Sequence, residues 1–403
     1  MARLQLIIIF FCVAFATGVA KNNVNLGLWD YKWMNAAKKS IQKGDKTHLN
    51  ALEDLTKRAD AALKEGPFSV TFKNLTPPSG SKNDYMSMGP YWWPDPAKPD
   101  GLPYIRSDGE VNPERDKLDS PQLSKLINNV SYLALAWFFT ENSAYFDKAI
   151  DLLRVWFIDP QTKMNPHLKY GQSIPGINDG RFIGIIDGKS FVVLVDAIAL
   201  LESSGKMQAD DINEIKKWFE DYFIWLTESD FGKQEEDYHN NHSVAFDLQS
   251  CGIAYFLGKK DFVKKKISEM RQRRIDPMIE GDGSQPEELI RTRAFGYSVG
   301  NLENFIDCGI LGKKVGVNIF NYANPKGGSI QKALDFLMQY IGNEEKWEHE
   351  QITSWEQVER NLGYLVRKAT FVYKDKKYKQ IWDDNFAGIQ AKQWNSLTIP
   401  VRK

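Results

Sequence analysis

The sequence predicts an all-α fold, an incomplete α/α toroid of antiparallel helix hairpins with long loops at one mouth. Three observations lead to this prediction. Apolar residues recur at three- and four-residue steps through most of the chain, as in amphipathic helices. Short turns carrying Gly or Asp join these segments, so successive helices run antiparallel and a long run of hairpins closes into inner and outer rings. Two long aromatic-rich segments interrupt the pattern and supply the loops.

The helical segments follow one another with recognisable start signals. Ser120-Pro121 gives a cap and a first-turn proline to "QLSKLINNVSYLALAWFFTEN". The clearest periodicity lies in "DINEIKKWFEDYFIWLTES", with apolar residues at Ile212, Ile215, Trp218, Phe219, Tyr222, Phe223 and Leu226. The other predicted helices are "KWMNAAKKSIQKGD", "HLNALEDLTKRADAALKEG", "AYFDKAIDLLRVWFID", "KSFVVLVDAIALLESSG", "SVAFDLQSCGIAYFLG", "DFVKKKISEMRQRR", "SIQKALDFLMQYIG" and "WEQVERNLGYLVRKA". No strand-hairpin signal stands out, and no strict repeat favours a solenoid.

The two interrupting segments are residues 67–119 and 160–189. Loops of this length in a compact domain are functional or disordered. The first segment holds Tyr85, Tyr91, Trp92, Trp93 and Tyr104, a composition that argues against disorder. We expect the two segments to form a lid or groove wall at one mouth of the toroid.

The beginning of the chain predicts export. Residues 1–20, "MARLQLIIIFFCVAFATGVA", combine one early cation, a short apolar run and small residues at the end, which indicates a cleavable signal peptide. No Pro/Ser-rich linker divides the remainder, so we expect one toroid domain at 21–403. The predicted location is secreted or periplasmic.

Charge and cysteine content restrict the partners. Lys and Arg number 52, as do Asp and Glu, so no global field attracts nucleic acid or an anionic membrane. Beyond the signal peptide only Cys251 and Cys308 remain, which permit one disulfide but no disulfide framework. We expect no nucleic-acid partner, no membrane span in the mature protein, and a monomer.

The stretch "EEDYHNNHSVAFD" places His239 and His242 close together in a chain with five histidines. A zinc site would need a third strong ligand, and no Cys pair or HExxH pattern supplies one, so we expect no metal and no cofactor. A helix that begins with Asn240 or Asn241 as its cap explains the backbone. Such a start also presents free N–H groups to anions, and a catalytic histidine is compatible with it.

A second cluster, "GDGSQPEELIRTRAFGYSVGNLENF", lies about fifty residues further on. It contains Arg291, Arg293 and Tyr297. Taken alone, it reads as an outer-helix ladder of ion pairs in which Glu287 and Glu288 face the arginines.

Together the two clusters meet a definite chemical need. Cleavage of a uronate chain by β-elimination removes the proton on C5, which is weakly acidic until the adjacent carboxylate is neutralised. An amide with a cation supplies that neutralisation, a base takes the proton, and an acid protonates the departing oxygen. A tyrosine serves as base or acid when a nearby cation lowers its pKa. Asn, His, Arg and Tyr are therefore a sufficient set without a metal.

The sequence resembles the alginate lyase superfamily of polysaccharide lyases, family 38 and the related family 5. The resemblance rests on "NNH" with a downstream E-x-x-R…Y, and on the blocks "YWWPDPAKPDGLPYIRSDGEVNPE", "GQSIPGINDGRFIGIID" and "DGSQPEELIRTRAFGYS". It covers nearly the whole mature chain. It implies an α/α toroid and an Asn/His/Arg/Tyr active site that acts on polyuronates.

The resemblance also implies individual roles. Asn241 would hold the C5 carboxylate, and His242 would be a base or assist one. Tyr297 would be base or acid beside the scissile bond. Arg291 would pair with the carboxylate or lower the pKa of Tyr297. Arg293, four residues before Tyr297, would share its face on a helix and stays an alternative.

By the same resemblance, other residues would bind the substrate, an acidic polysaccharide. The residues that we expect to bind substrate are Lys82, Tyr91, Trp92, Gln172, Arg181, His239 and Arg293. Tyr91 and Trp92 would stack on sugar faces, whereas Lys82, Gln172 and Arg181 would meet neighbouring carboxylates and hydroxyls.

The sequence thus predicts an enzyme, a polysaccharide lyase that cleaves alginate (polymannuronate or polyguluronate) and leaves 4,5-unsaturated uronate ends. Three alternatives stay open. A lyase for glucuronan or another polyuronate would use the same scaffold. A glycoside hydrolase would need paired carboxylates, for which Asp282 and Glu287 are poor candidates. A binding protein would capture oligosaccharides without cutting them.

Overall fold

The computed structural model describes residues 24–399, so the predicted signal peptide lies outside the described residues. The described chain is predominantly helical, which confirms the all-α prediction. The helices are α1 (Tyr31–Gln42), α2 (Lys46–Leu63), α3 (Ser120–Thr140), α4 (Ser143–Phe157), α5 (Phe191–Glu202), α6 (Ala209–Glu228), α7 (Asp230–Glu236), α8 (Asn241–Phe256), α9 (Lys260–Met270), α10 (Asp276–Met278), α11 (Pro286–Leu289), α12 (Ala294–Lys314), α13 (Ile330–Met338), α14 (Trp355–Val372), α15 (Lys376–Asn385) and α16 (Ala387–Gln390).

The helices pack as a ring of hairpins. Going round the ring, α2 packs against α3, α3 against α5, α5 against α8, α8 against α12, and α12 against α14. The helices α4, α6, α9, α13 and α15 flank them as an outer layer. The C-terminal turn Trp394–Leu397 then contacts α1 and α2, so the last hairpin meets the first.

Sequence periodicity accounts for the two layers. In the outer helix α6 the seven apolar residues singled out above are the buried ones, and the opposite face is polar. The inner helix α8 is buried from Ser243 to Tyr255 on all sides. A helix surrounded by other helices has no solvent face, and its sequence shows correspondingly little amphipathic pattern.

The two long segments lie at one mouth of the ring, where α3, α5, α8 and α12 begin. They contain short strands that the sequence did not predict: β1 (Met86–Met88), β2 (Trp92–Trp93), β3 (Ile105–Arg106) and β4 (Tyr170–Ser173). β1 pairs in parallel with β4, which joins the first long segment to the second. β2 pairs antiparallel with β3, which folds the first segment back on itself.

The first described residues are held to the ring by a buried carboxylate on α5. Asp196 accepts hydrogen bonds from the backbone N–H groups of Gly27 (2.6 Å), Leu28 (2.8 Å) and Trp29 (2.8 Å). Burial raises the pKa of Asp196 to about 6, and the three N–H groups oppose that rise. Asp196 thus helps to anchor the N-terminal segment, whose Leu26, Leu28 and Trp29 side chains are also buried.

Two further observations concern the whole of residues 24–399. Cys251 and Cys308 are both buried free thiols, so the one disulfide that the sequence permits is not formed. None of the helices in this range is long and apolar enough to cross a membrane.

Candidate active site

A cleft of about 440 Å³ opens at the mouth where the long segments meet the starts of α8 and α12. Its walls come from the first segment, the second segment, the α7–α8 turn and the stretch between α11 and α12. The lining residues are Pro90, Tyr91, Trp92, Arg106, Gln172, Arg181, Ile183, Ile186, Tyr238, His239, Asn240, Asn241, His242, Glu287, Ile290, Arg291 and Tyr297. Nine of the eleven predicted site residues are among them.

Asn241 stands in the first turn of α8. Asn240 is the cap of this helix, and its side chain accepts a hydrogen bond from the His242 backbone N–H. Glu288, which is buried, accepts from both the backbone N–H and the side-chain Nδ2 of Asn241, each at 2.8 Å. The Nδ2 group carries two hydrogens, so one remains for a ligand in the cleft.

His242 is oriented from behind by a second buried carboxylate. Its Nδ1 lies 2.8 Å from Oε1 of Glu235, whose side chain is completely buried. Burial raises the pKa of the Glu235 carboxyl, and the contact with His242 opposes the rise. Glu235 is the second-to-last residue of α7. This short helix approaches the end of α6 closely, which Gly232 permits because any side chain there would collide with the Leu226 carbonyl.

Tyr297 lies in the first turn of α12 and meets an arginine and another tyrosine. Nη2 of Arg291 donates to its hydroxyl at 3.0 Å, and the guanidinium lies 4.0 Å from the ring centre. The Tyr91 and Tyr297 hydroxyls are 2.7 Å apart. The pair that the family motif favours, Arg291 with Tyr297, is thus the pair in contact.

Arg291 acts to lower the pKa of Tyr297, as expected, but stronger effects outweigh it. Burial and the hydrogen bond with Tyr91 raise the pKa of Tyr297, and Arg291 opposes them only in part. The resting phenol therefore keeps its proton. Arg291 remains placed to stabilise a phenolate if one forms.

Asp108, on the first long segment, fixes Arg291. Its carboxylate accepts from Nη2 (2.8 Å) and Nε (3.2 Å) of Arg291, and also from the Thr292 hydroxyl (3.1 Å). The Arg106 guanidinium lies 2.6 Å from the same carboxylate. These two cations hold the pKa of Asp108 well below its ordinary value despite burial. The first long segment is thereby connected to the Arg291 wall of the cleft.

Another lining residue is the cation Arg181, for which the described residues supply no carboxylate within ion-pair distance. Arg181 donates from Nε to the Gln172 backbone carbonyl and from Nη2 to the Gln172 side-chain oxygen, both at 2.9 Å. Burial, with Arg106 nearby, lowers the pKa of Arg181 to about 10, so it stays cationic at neutral pH. Gln172 has a φ of +49°, an uncommon conformation for a non-glycine residue and one that is found repeatedly at functional sites. The guanidinium also lies 5.9 Å from the Trp92 ring centre.

The remaining predicted residues divide into one at the rim and two outside the cleft. His239 is exposed at the rim, 3.5 Å from Glu287. Lys82 does not line the cleft; its ammonium donates to the Lys73 carbonyl. Arg293 does not line it either, because its guanidinium donates to the Gly109 carbonyl behind Tyr91. Both were expected to bind substrate, and their hydrogen bonds instead support the first long segment.

The ion-pair ladder expected between the glutamates and the arginines is absent from the described structure. Glu288 turns inward to Asn241, and Arg291 turns to Asp108. Asp282 lies outside the cleft and accepts from the Ser284 backbone N–H. The carboxylate pair needed for a hydrolase is therefore not assembled from Asp282 and Glu287.

Sequence reasoning missed Glu235, Glu288 and Asp108. Each is a carboxylate bonded to a predicted catalytic side chain, and two of them are separated from their partner by many residues. Glu235 carried one available signal, since it stands seven residues before His242 in the stretch already singled out. Among residues 24–399, no group of three or more His, Cys, Asp or Glu is arranged to hold a metal ion.

Comparisons with known proteins agree with one another. The family model described as alginate lyase matches residues 69–347. An alginate lyase from Bacteroides ovatus of known crystal structure shares 39% sequence identity, with a TM-score of 0.91, over 94% of this chain and 100% of that one. No curated protein sequence matches the chain.

More distant structures share the fold. Alginate lyase A1-III from Sphingomonas species A1 aligns at a TM-score of 0.55 and 14% identity over 96% of this chain and 94% of that one. A variant of A1-III in complex with a tetrasaccharide aligns at 0.57 and 14% identity over 90% and 92% of the two chains. At this identity the likeness concerns the arrangement of helices.

Proposed function

Because the chain belongs to the alginate lyase family, we propose that it is a polysaccharide lyase that cleaves alginate by β-elimination. The products are shorter chains with a 4,5-unsaturated uronate at the new non-reducing end. One observation carries the proposal: Asn241, His242, Arg291 and Tyr297 face a single cleft, and buried or half-buried carboxylates orient the first three. Such preorganisation is what electrostatic catalysis requires.

Neutralisation of the substrate carboxylate is the first requirement. The second hydrogen on Nδ2 of Asn241 is available to that carboxylate, and the start of α8 adds the partial positive charge of a helix N-terminus. Arg291 and Arg181 bring cationic charge to two walls of the cleft. A protein without net charge thus attracts a polyanion through local placement of its arginines.

Proton transfer is the second requirement, and the geometry provides two groups. In guluronate the C5 proton and the leaving oxygen lie on opposite faces, so His242 removes the proton and Tyr297 protonates the oxygen. The C5–H electrons form the C4–C5 double bond as the C4–O bond breaks. The protonated phenol of the resting site is the form that an acid needs.

In mannuronate both groups lie on one face, and Tyr297 acts alone. It takes the C5 proton as a phenolate and returns a proton to the leaving oxygen. Arg291 donates to the phenol oxygen and stabilises the phenolate, and the Tyr91 hydroxyl at 2.7 Å gives the displaced proton a route. Tyr91 therefore serves proton transfer in this account, whereas Trp92, Gln172, Arg181 and His239 contact the sugar chain.

Location and assembly are part of the same proposal. The leader-like segment at residues 1–20 supports a secreted or periplasmic enzyme, which is where an extracellular polysaccharide is met. We propose that it acts as a monomer, because one copy of the chain brings Asn241, His242, Arg291 and Tyr297 to one cleft.

The test is a panel of polyuronates incubated with the purified protein and followed by ultraviolet absorbance. Elimination creates a double bond conjugated with the carboxylate, which absorbs, whereas hydrolysis and binding create none. We expect absorbance to rise with polymannuronate and polyguluronate. A rise with glucuronan alone would reassign the substrate, and reducing ends without absorbance would contradict elimination.

A further inference from the structure

We infer that Glu235 is a positioning residue that makes His242 a base, and that it therefore supports cleavage of guluronate more than cleavage of mannuronate. The inference rests on the proposed function, because it assumes two routes of elimination that differ in their base. It concerns a residue that does not line the cleft and does not touch substrate.

The contact between Glu235 and His242 is direct and shielded from water. Oε1 lies 2.8 Å from Nδ1, with the carboxylate fully buried and the imidazole 15% exposed. Among the described residues no group donates a hydrogen bond to Oε2 of Glu235. The imidazole is consequently the hydrogen-bond partner on which this carboxylate depends, and a buried carboxylate without a donor is costly.

This contact selects the tautomer of His242. In its ionised form the Glu235 carboxylate can only accept, and with that form Nδ1 must carry the hydrogen. The other ring nitrogen, Nε2, then holds a lone pair, and His242 is a wall of the cleft. The opposite tautomer would place hydrogen on Nε2 and leave no base toward the substrate.

The same contact stabilises the product of proton removal. When Nε2 takes the C5 proton of guluronate, the ring becomes a cation and Nδ1–H continues to donate to Glu235. The negative charge 2.8 Å away, in surroundings with little water, favours that cation. The proton leaves Nε2 later for the Tyr297 phenolate or for water, which restores the resting state.

Cleavage of mannuronate depends less on the Glu235–His242 pair, because Tyr297 is both base and acid in that route. Glu235→Gln keeps the shape of the side chain and removes its charge, and its amide is able to hold either tautomer. We expect kcat on polyguluronate to fall about 100-fold, a usual size for loss of general-base assistance. On polymannuronate we expect a fall of less than about threefold, since the phenol is unchanged.

Glu236→Gln is the matched control. The neighbouring Glu236 belongs to the same helix, but its carboxylate pairs with Lys266 and Arg273 and does not line the cleft. We expect this variant to keep the wild-type ratio of the two activities.

Two further measurements separate positioning from general damage. In a His242→Ala background, Glu235→Gln should cause no additional loss on polyguluronate, because the residues act as a unit. In the unmutated protein, nitrogen NMR of His242 should show hydrogen on Nδ1 and none on Nε2 near neutral pH. This reading does not depend on whether the variant folds.

The outcomes are distinct. Equal losses on both polymers, additional loss in the His242→Ala background, or an Nε2–H tautomer would overturn the role of Glu235. If the unmutated protein forms no unsaturated product from either polymer, the proposed function itself fails, whatever the tautomer.

Discussion

Two buried carboxylates hold polar groups at two places in the ring, with different consequences. At the cleft, Glu288 binds the backbone N–H and the amide of Asn241. On α5, Asp196 binds three backbone N–H groups of residues 27–29. Asn241 faces the cleft. Residues 27–29 face the core, because the side chains of Leu28 and Trp29, like that of Leu26, are buried. The comparison teaches that the role of a buried carboxylate depends on what its partner faces.

Of the three carboxylates Glu288, Asp108 and Asp196, Glu288 is expected to have the largest effect on activity. In Glu288→Gln, an NH₂ group replaces one of the two carboxylate oxygens that accept hydrogen bonds from Asn241. Two N–H donors then face each other, so the Asn241 amide loses its fixed orientation. We expect kcat/KM on both polymers to fall about 100-fold, the scale of losing one preorganised donor. Initial rates by ultraviolet absorbance measure this. Glu280→Gln, on the same stretch but paired with Lys326 at the surface, is the control and should match wild type.

A smaller loss is expected at Asp108, which connects the first long segment to Arg291. In Asp108→Asn the guanidinium loses its ion pair at 2.8 Å but stays cationic and stays near Tyr297. We expect kcat/KM to fall about tenfold, in line with partial misplacement of one charged group. Asp100 on the same segment accepts a hydrogen bond from the Leu102 N–H in an exposed turn, and Asp100→Asn should leave the rate unchanged. A rate for Asp108→Asn equal to that of wild type would show that the contact between the first long segment and Arg291 is not needed for catalysis.

The smallest effect on activity, and a clear effect on stability, is expected at Asp196. Asp196→Asn replaces one oxygen that accepts backbone N–H groups and should lower the free energy of unfolding by about 2 kcal/mol. At a temperature where the variant is folded, kcat/KM should equal that of wild type. Thermal unfolding and rate assays on the same preparation measure both. A loss of activity without a loss of stability would reverse the contrast with Glu288.

The stability difference should also depend on pH with a definite sign. Burial raises the pKa of Asp196 from 3.8 to about 6, so between these values the folded state binds more protons than the unfolded state. The free energy of unfolding contributed by this group therefore falls as pH rises from about 4 to about 6, and is constant above that. The unfolding free energies of wild type and Asp196→Asn should converge or cross in that window, with no such trend elsewhere.

Sequence reasoning reached the features that depend on local periodicity. The buried face of α6, the first-turn proline of α3 and a cap at Asn240 or Asn241 for α8 follow from neighbouring residues, and the structure confirms these, with Asn240 as the cap. The cap expected at Ser120 is wrong, because Ser120 is already helical and Asp119 stands in the cap position without a side-chain cap hydrogen bond. Asn241, His242, Arg291 and Tyr297 came from motif resemblance, and the structure brings them to one cleft.

The supporting carboxylates depend on closure of the ring and could not be reached in this way. Asn241 and Glu288 are 47 residues apart, and Asp108 and Arg291 are 183 apart, so no helical spacing connects them. A lowered pKa of Tyr297 could not be predicted correctly for a related reason. The sequence shows the nearby cation but not the burial, whose effect on the pKa is larger. Lys82 and Arg293 were predicted to bind the substrate. In the structure both donate hydrogen bonds to backbone carbonyls of the first long segment.

The most direct test of the account compares Tyr297→Phe and His242→Ala on separate polymannuronate and polyguluronate substrates. We expect the rate of Tyr297→Phe to fall about 1,000-fold on both polymers, since the phenol is needed in both routes. His242→Ala should lose at least tenfold more on polyguluronate than on polymannuronate. Equal losses of His242→Ala on the two polymers, or a Tyr297→Phe variant that cleaves either at the wild-type rate, would contradict it.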